Sequence, residues 1–570
     1  MMDDEKGPLP PHQAEQNDPV AEMDEFGQNN EEPSDRETQE PEEKHLKGFR
    51  MYCVSLALLT SIFLTTLDAS IISTAVPQIS SRFHSTLDIG WYSSVYMIAI
   101  CAILPMAGKF YAHFNPKFTF LGFLFLFELG SLLSGVAVFS RMLIVGRAVA
   151  GLGSAGIYNG ALTIMGKGMK PSARAWQIGL GTSMATIGSV FGPLIGGSLT
   201  SRVSWRWCFY INLPPGGLTA LILVVMKIPT GNDEPELPKG LRKSLALFDP
   251  VGFLLFCPSC ILFLLAIQWG GVKYPWNSAR VIGLLCGSAV GFILFVAQEA
   301  CHGDKAMIAP KMARNSVVFF GFWTVLFQFG SLMVITYYLP LWFQVVKDAS
   351  PIRSGVMLLP TIIAQTLFTV VAGAIVSKGG YCAPPALTGC ALTVIGAGLM
   401  TTFVPSTRSG KWIGYQILIG AGRGLSIQVP IIATQAVLPR QLISSGTSII
   451  LFGQFFGGAV FTASAQTIFT NRLYNSLLEY LPYPETVKDI VEAGAIPSSF
   501  AQLVPATDYA DVIRAYNDAL TQTWYLGVGL AGVACFVCFG LGWTHIDNKK
   551  PKKKAKSPAV DENAEEKKGI

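Results

Sequence analysis

From about residue 50 onward the apolar residues come in long unbroken runs separated by short polar stretches. They do not alternate singly as in a half-exposed strand. A helix that crosses the hydrocarbon core of a bilayer needs about 20 consecutive apolar residues, and windows of about 19 residues find such segments repeatedly. Six lie near 50–75, 90–111, 118–139, 141–164, 176–199 and 208–228. Two follow near 248–270 and 279–300, and six more near 315–342, 355–377, 383–404, 411–434, 443–468 and 522–545. The pattern predicts an all-α polytopic membrane protein with fourteen spans grouped as six, two and six. If the stretch from Gly270 to Tyr274 loops differently, the middle pair is lost and the count falls to twelve.

The polar stretches set the domain organisation. Residues 1–46 hold 15 acidic and three basic residues and almost no large apolar ones, so they cannot bury enough surface to offset their ordering entropy. They are expected to form a disordered acidic tail, followed by a six-helix bundle over 47–228, a linker over 229–246 and two inserted spans over 247–300. A second six-helix bundle over 301–546 and a basic tail over 547–570 complete the chain. The long outward loop, 470–521, carries Leu473, Leu477, Leu478 and Leu481 at helical spacing, as expected of a surface-lying amphipathic helix. Simple packing on the outer face is the preferred role for it, with a substrate lid as the alternative.

Composition agrees. Of the 570 residues 51% are apolar and only 14% charged, with mean hydropathy +0.43, whereas soluble domains run near about 25% charged. Beyond the acidic tail the chain carries a net charge of +17, scattered over the loops between spans, so nucleic acid is not an expected partner. Lys and Arg in the loops are nearly balanced between the two sides, and the tails decide the orientation. Lys44, Lys47 and Arg50 flank the first span, and six lysines from Lys549 to Lys556 follow the last; with an even span count, both termini are expected to be cytoplasmic. The start lacks the features of a cleaved secretory signal. Most of the eleven cysteines lie within apolar runs, including the pair Cys257 and Cys260, and read as packed small hydrophobes rather than a redox or metal site. Gly108-Lys109 is followed by Phe110, so no phosphate loop for ATP is present, nor is there a motif of a soluble catalytic site. The expected energy source is an ion gradient, with no cofactor.

Two features inside the spans carry the candidate chemistry. In the fifth span, Gly179, Gly188, Gly192, Pro193, Gly196 and Gly197 read as G-x8-G-x3-G-P-x2-G-G. Small residues four apart let a neighbouring helix approach closely, and proline bends the helix, which suits a pivot. Generic helix packing is the plainer alternative. Ionisable residues within spans are costly and become functional candidates by default. Four qualify: Asp68, Glu128, Arg147 and Arg423. Asp68 and Arg147 have compatible depths for pairing, either as a proton-exchanging pair or as a fixed structural one. Glu128, near mid-depth between Phe127 and Leu129, is either a proton site or a neutral group bonded to a neighbouring helix. Arg423 stands between Gly422 and Gly424 and is expected to meet a substrate or a carboxylate, with plain interhelical bonding as the alternative. Gln328, Gln428, Gln435, Gln454 and Gln466 are further polar candidates for a substrate cavity.

The fifth-span motif resembles the antiporter motif of the major facilitator superfamily, and the chain is similar to its fourteen-span drug:proton antiporter family from about residue 48 to 546. Leu67-Asp68-Ala69-Ser70-Ile71-Ile72 through Pro77 resembles that family's first-span motif, and Arg147 with Gly151 and Gly153 its fourth-span motif. Trp205-Arg206-Trp207-Cys208-Phe209-Tyr210-Ile211-Asn212-Leu213-Pro214 is also typical. The likeness is greatest to fungal exporters of toxins and secondary metabolites. It implies the facilitator fold and no enzymatic activity. Its functional implication is proton-coupled export of a hydrophobic small molecule, with protons and lipid as the other partners. The plasma membrane is the expected location, with the vacuolar membrane as the alternative. Proton symport, as in siderophore uptake carriers, is the nearest rival; a non-transporting sensor is a rival of another class. The loop between spans two and three departs from the superfamily pattern: Gly108 is followed by Ala112, His113, Asn115, Pro116 and Lys117, with no acidic member. Ala150 stands where a Gln is usual in the fourth-span motif.

Overall fold

The computed structural model describes residues 48–83, 88–169, 171–226, 248–271, 273–303, 306–481, 483, 485–487, 490, 505 and 508–543. The acidic tail, the 229–246 linker, the basic tail and the middle of the 470–521 loop lie outside the described residues. Among the described residues, fourteen helices are long and apolar enough to cross a membrane. The first half comprises α1 (Gly48–Phe83), α2 (Ile89–His113), α3 (Pro116–Gly135), α4 (Ser140–Gly168), α5 (Pro171–Arg202) and a broken sixth span, α6 (Trp207–Tyr210) with α7 (Leu213–Val225). The inserted pair is α8 (Pro250–Trp269) and α9 (Ala279–His302). The second half comprises α10 (Ser316–Val345), α11 (Leu359–Gly379), α12 (Ala383–Met400), α13 (Ser409–Ser426) running into α14 (Val429–Val437), α15 (Ile443–Tyr480) and α16 (Tyr509–Cys538).

The two halves repeat one packing plan. In the first, α1 packs along α5, α3 along α4 and α2 against α4; in the second, α10 packs along α15, α12 along α13 and α11 against α13. Between them the contacts are exchanged in the manner of a pseudo-twofold axis: α5 meets α11, and α2 meets α15. Gly108, in the degenerate loop motif, takes part in the second contact, where an added Cβ would strike Ser448 and Ser445 of α15.

The inserted pair rests on the bundle through α8, which touches α2 and α15, one helix from each half. The contact is apolar and aromatic, with Phe256 against Phe452, Phe263 stacked on Phe456, and Cys260 buried beside Cys101 and Ile98. Asp249 fixes the end of the pair. It caps α8 by accepting from the Gly252 N–H at 2.9 Å, and it also accepts from Gln298 Nε2 and from the Met307 N–H. Burial pushes its carboxyl pKa up, but these hydrogen bonds outweigh burial and hold it below the usual Asp value.

The loop over 470–521 is much shorter than its sequence suggests. α15 continues without interruption to Tyr480, and α16 starts at Tyr509 rather than near residue 522. Leu473, Leu477 and Leu481 therefore do not lie on the surface in a separate helix: they are buried against Val512, Tyr516 and Leu520 in one cluster, and only Leu478 is exposed. Asp511, Arg514, Asn517 and Asp518 lower the hydropathy of the first turns of α16 and hide a helix whose inner face is apolar. At about 1.5 Å per residue, the 38 residues of α15 overreach a core of roughly 30 Å, so the helix ends project beyond it.

Candidate functional site: a buried ion pair beside a glycine stripe

Asp68 of α1 and Arg147 of α4 are both fully buried, and they form an ion pair with Arg147 Nη1 2.5 Å from Asp68 Oδ2. Such a pair needs further hydrogen bonds to offset its burial, and each group has at least one, although Arg147 Nη2 has no partner. Arg147 Nε donates to the Tyr92 carbonyl at 3.1 Å, and the guanidinium lies 4.2 Å from the centre of the Tyr96 ring. Gly151, one turn along α4, packs on the Tyr96 backbone and has no room for a Cβ, so α2 comes close enough to bring that ring over the arginine. On the other side Asn212 Nδ2 donates to Asp68 Oδ1 at 3.0 Å and to Ser131 Oγ at 3.2 Å. Asn212 occupies the break between α6 and α7, just before Pro214 and Pro215, which cannot donate to the preceding turn.

The fifth-span motif packs on the helix that carries Asp68. A Cβ at Gly188 would strike Thr66, at Gly192 Ser70, and at Gly196 Thr74. Three glycines thus meet three hydroxyl-bearing residues in one register, and Ser70 Oγ donates to the Gly188 carbonyl at 3.2 Å. Gly179 instead faces Gln428 and the Thr369 backbone in the second half, while Gly197 has open space.

Glu128 of α3 lies near enough to Asp68 to repel it electrostatically. Neither of its buried oxygens has a hydrogen-bond partner, and Oε1 fills the space that a Cβ on Gly216 of α7 would take. The first turn of α7 therefore touches both carboxylates, Asp68 through Asn212 and Glu128 through Gly216.

The second half holds its own buried arginine. Arg423 of α13 donates to Thr336 Oγ1 and the Ser331 carbonyl, each at 3.3 Å, and to the Leu332 carbonyl at 3.5 Å, all on α10. Its Nε has no partner, and among the described residues no carboxylate lies within ion-pair distance. The glutamines separate into two groups. Gln328 donates to Thr393 and Ser426 within the second half, and Gln466 accepts from Tyr338 there. Gln428, Gln435 and Gln454 reach the seam between halves: Gln435 donates to the Leu162 carbonyl at 3.2 Å, Arg174 donates to the Gln435 carbonyl, and Gln454 bonds Tyr158.

Residues 58–462 match the Major Facilitator Superfamily. The chain belongs to that superfamily. It is 45% identical over 507 residues to the MFS-type transporter pigP of Monascus ruber, covering 88% of each chain. It is 41% identical to the efflux pump mlcE of Penicillium citrinum, over 90% of this chain and 94% of that one, and 39% identical to the efflux pump aflT of Aspergillus parasiticus, over 88% and 97%. Among solved structures, the proton:xylose symporter XylE superposes with a TM-score of 0.56 at 13% identity, over 87% of this chain and 96% of that one, a likeness of fold.

For a facilitator, and so a carrier rather than an enzyme, the residues that sequence reasoning left out are as informative as those it found. Asp68 and Arg147 are together as their depths suggested. Tyr92, Tyr96 and Ser131 gave no signal, because single polar groups on spans are common. Asn212 stood in a quoted motif without a role. The signal that finds it is the double proline, since broken helices in transporters expose polar groups at their breaks.

Proposed function

We propose that this facilitator is a proton-coupled antiporter that exports a hydrophobic small molecule, with Asp68 as the group that takes up and releases the proton. The observation that carries the reading is that one helix, α1, holds the buried Asp68 that pairs with Arg147 of α4 and, through Thr66, Ser70 and Thr74, packs on the glycine stripe of α5. Protonation of Asp68 removes most of the attraction to Arg147 and frees α1 to shift along α5, so a charge event and a movement are joined in one interface. Export as the direction is supported by the relatives named efflux pumps. The plasma membrane, with both termini in the cytoplasm, is the setting that fits.

The test is transport of a lipophilic fluorescent dye by proteoliposomes under an imposed pH gradient. Asp68→Asn keeps size and removes charge, and gradient-driven transport should collapse while the protein still inserts. Undiminished pumping by this variant would overturn the proposal. Glu128→Gln is the parallel measurement: an altered pH dependence makes Glu128 a second proton site, and an unchanged one assigns it to packing against Gly216.

A further inference from the structure

Each of the two groups holding Asp68 is only partly satisfied. Arg147 keeps the Tyr92 carbonyl and the Tyr96 ring as partners besides Asp68, while its Nη2 has none. Asn212 uses its Nδ2 on Asp68 and Ser131, while its buried Oδ1 accepts from nothing. A buried carbonyl without a donor is costly, and the Asn212 backbone is pinned, with its N–H donating to the Phe209 carbonyl and its own carbonyl accepting from Gly216.

The donor that Asn212 lacks is the one Asp68 gains on protonation. An ionised carboxylate only accepts; a neutral carboxylic acid carries one O–H donor and keeps a C=O acceptor. A primary amide offers the complementary pair, an N–H and a carbonyl. We propose that Asn212 is the alternate partner of Asp68: it holds the neutral carboxylic acid through two complementary hydrogen bonds while Arg147 withdraws onto the Tyr92 carbonyl and the Tyr96 ring. In that step a proton from hydronium forms the O–H bond at Asp68 Oδ2, water is left behind, and Arg147 keeps its charge. Oδ2–H then donates to Asn212 Oδ1, and Asn212 Nδ2 continues to donate to Asp68 Oδ1. The titratable groups facing Asp68 are Arg147 from α4, Tyr96 from α2, Glu128 from α3 and Cys208 from α6. Of these only Glu128 also carries unpartnered oxygens, and no hydrogen bond joins it to Asp68, whereas the Asn212 amide already holds Asp68 Oδ1 through Nδ2 and keeps its Oδ1 free. Asn212 is thus a positioning residue, and the inference rests on reading Asp68 as the proton carrier.

Difference infrared spectroscopy of the purified full chain, between acid and neutral pH, tests it. The band of a protonated carboxyl group that Asp68→Asn removes should lie at the lowered frequency of a carbonyl accepting a hydrogen bond. Asn212→Leu and Asn212→Ser should each move that band to the higher frequency of a free carboxylic acid and shift its pH midpoint. Serine is a good helix cap, so the second variant preserves the start of α7 if the first fails to fold. An unmoved band in a folded Asn212 variant would overturn the inference. The same displacement in Ser131→Ala, which touches Asn212 and not Asp68, would also overturn it by making the effect one of packing. If Asp68→Asn removes no band, Asp68 takes no proton, and the underlying reading fails separately.

Discussion

Both halves bury an arginine that follows a glycine on the fourth helix of the repeat, Gly146-Arg147 in one and Gly422-Arg423 in the other. Both arginines reach the first helix of their own half. Nine residues before Pro77 that helix carries Asp68; nine residues before Pro340 its counterpart carries Ser331. One arginine therefore meets a carboxylate, and the other meets two backbone carbonyls and a threonine hydroxyl. The contact between first and fifth helices differs in the same sense. In the first half glycines of α5 lie on Thr66, Ser70 and Thr74, whereas in the second half Gly453 and Gly458 of α15 lie on the rings of Phe322 and Phe329. Small groups on small groups slide, and rings seated on glycines interlock. The difference teaches that one packing plan can carry two kinds of interface: a closed ion pair with small groups on small groups in the first half, and a cation held by carbonyls with rings on glycines in the second.

Removing the two arginines should break the symmetry most plainly. Arg147→Leu leaves Asp68 buried without its counter-charge, a loss of about 3–5 kcal/mol, whereas Arg423→Leu leaves no orphaned carboxylate and should fall within about 1 kcal/mol of the parent. Thermal melting in detergent measures both, and equal losses would dissolve the comparison. Next in size are the glycines. Overpacking costs about 1–3 kcal/mol. In Gly192→Leu that penalty should appear as export slowed about tenfold or more with substrate binding retained. Gly453→Leu should instead lower melting temperature and binding together. Export by Gly192→Leu near the parental rate at normal expression would reduce the stripe to packing.

A smaller effect sharpens the comparison by installing the missing charge. Ser331→Asp should be tolerated beside Arg423 but not in the Arg423→Leu background, and a double-mutant cycle on melting should give a coupling of about 0.5–3 kcal/mol. Zero coupling would mean that the two positions are not equivalent to Asp68 and Arg147. The smallest effect is expected outside both halves, at Asp249. Asp249→Ala removes a helix cap, at about 1 kcal/mol. Because the folded carboxyl has its pKa held below the usual Asp value, the charged form contributes stability above the unfolded pKa of about 3.9, and that contribution is lost as pH falls through the lower folded value. The gap in melting temperature between parent and variant should thus be constant from neutral pH to about 5 and close only in stronger acid.

The spans were legible because hydropathy alone marks them, and they failed where hydropathy is diluted, as at Asp511, Arg514, Asn517 and Asp518 in the first turns of α16. The charged members of the site were legible because a charge inside an apolar run has few innocent explanations. Asn212 was not, since an uncharged amide next to prolines at a span's edge reads as an ordinary turn. Nor was the solitary state of Arg423. Whether a buried cation has a counter-ion depends on which residue of a helix 92 positions away faces it, and Ser331 carries no mark of standing where a carboxylate stands in the other half.

The glycines of α5 and the hydroxyl residues of α1 both recur every fourth residue, and the two helices run parallel, so the interface is commensurate with its own translation. Slipping α1 back by four residues, about 6 Å at 1.5 Å per residue, would set Gly188 on Ser70 and Gly192 on Thr74, re-forming two of the three matches. The same slip would draw Asp68 a full turn away from Arg147. A four-residue repeat on both surfaces thus lets α1 keep most of its glycine contacts through a displacement that would open the ion pair.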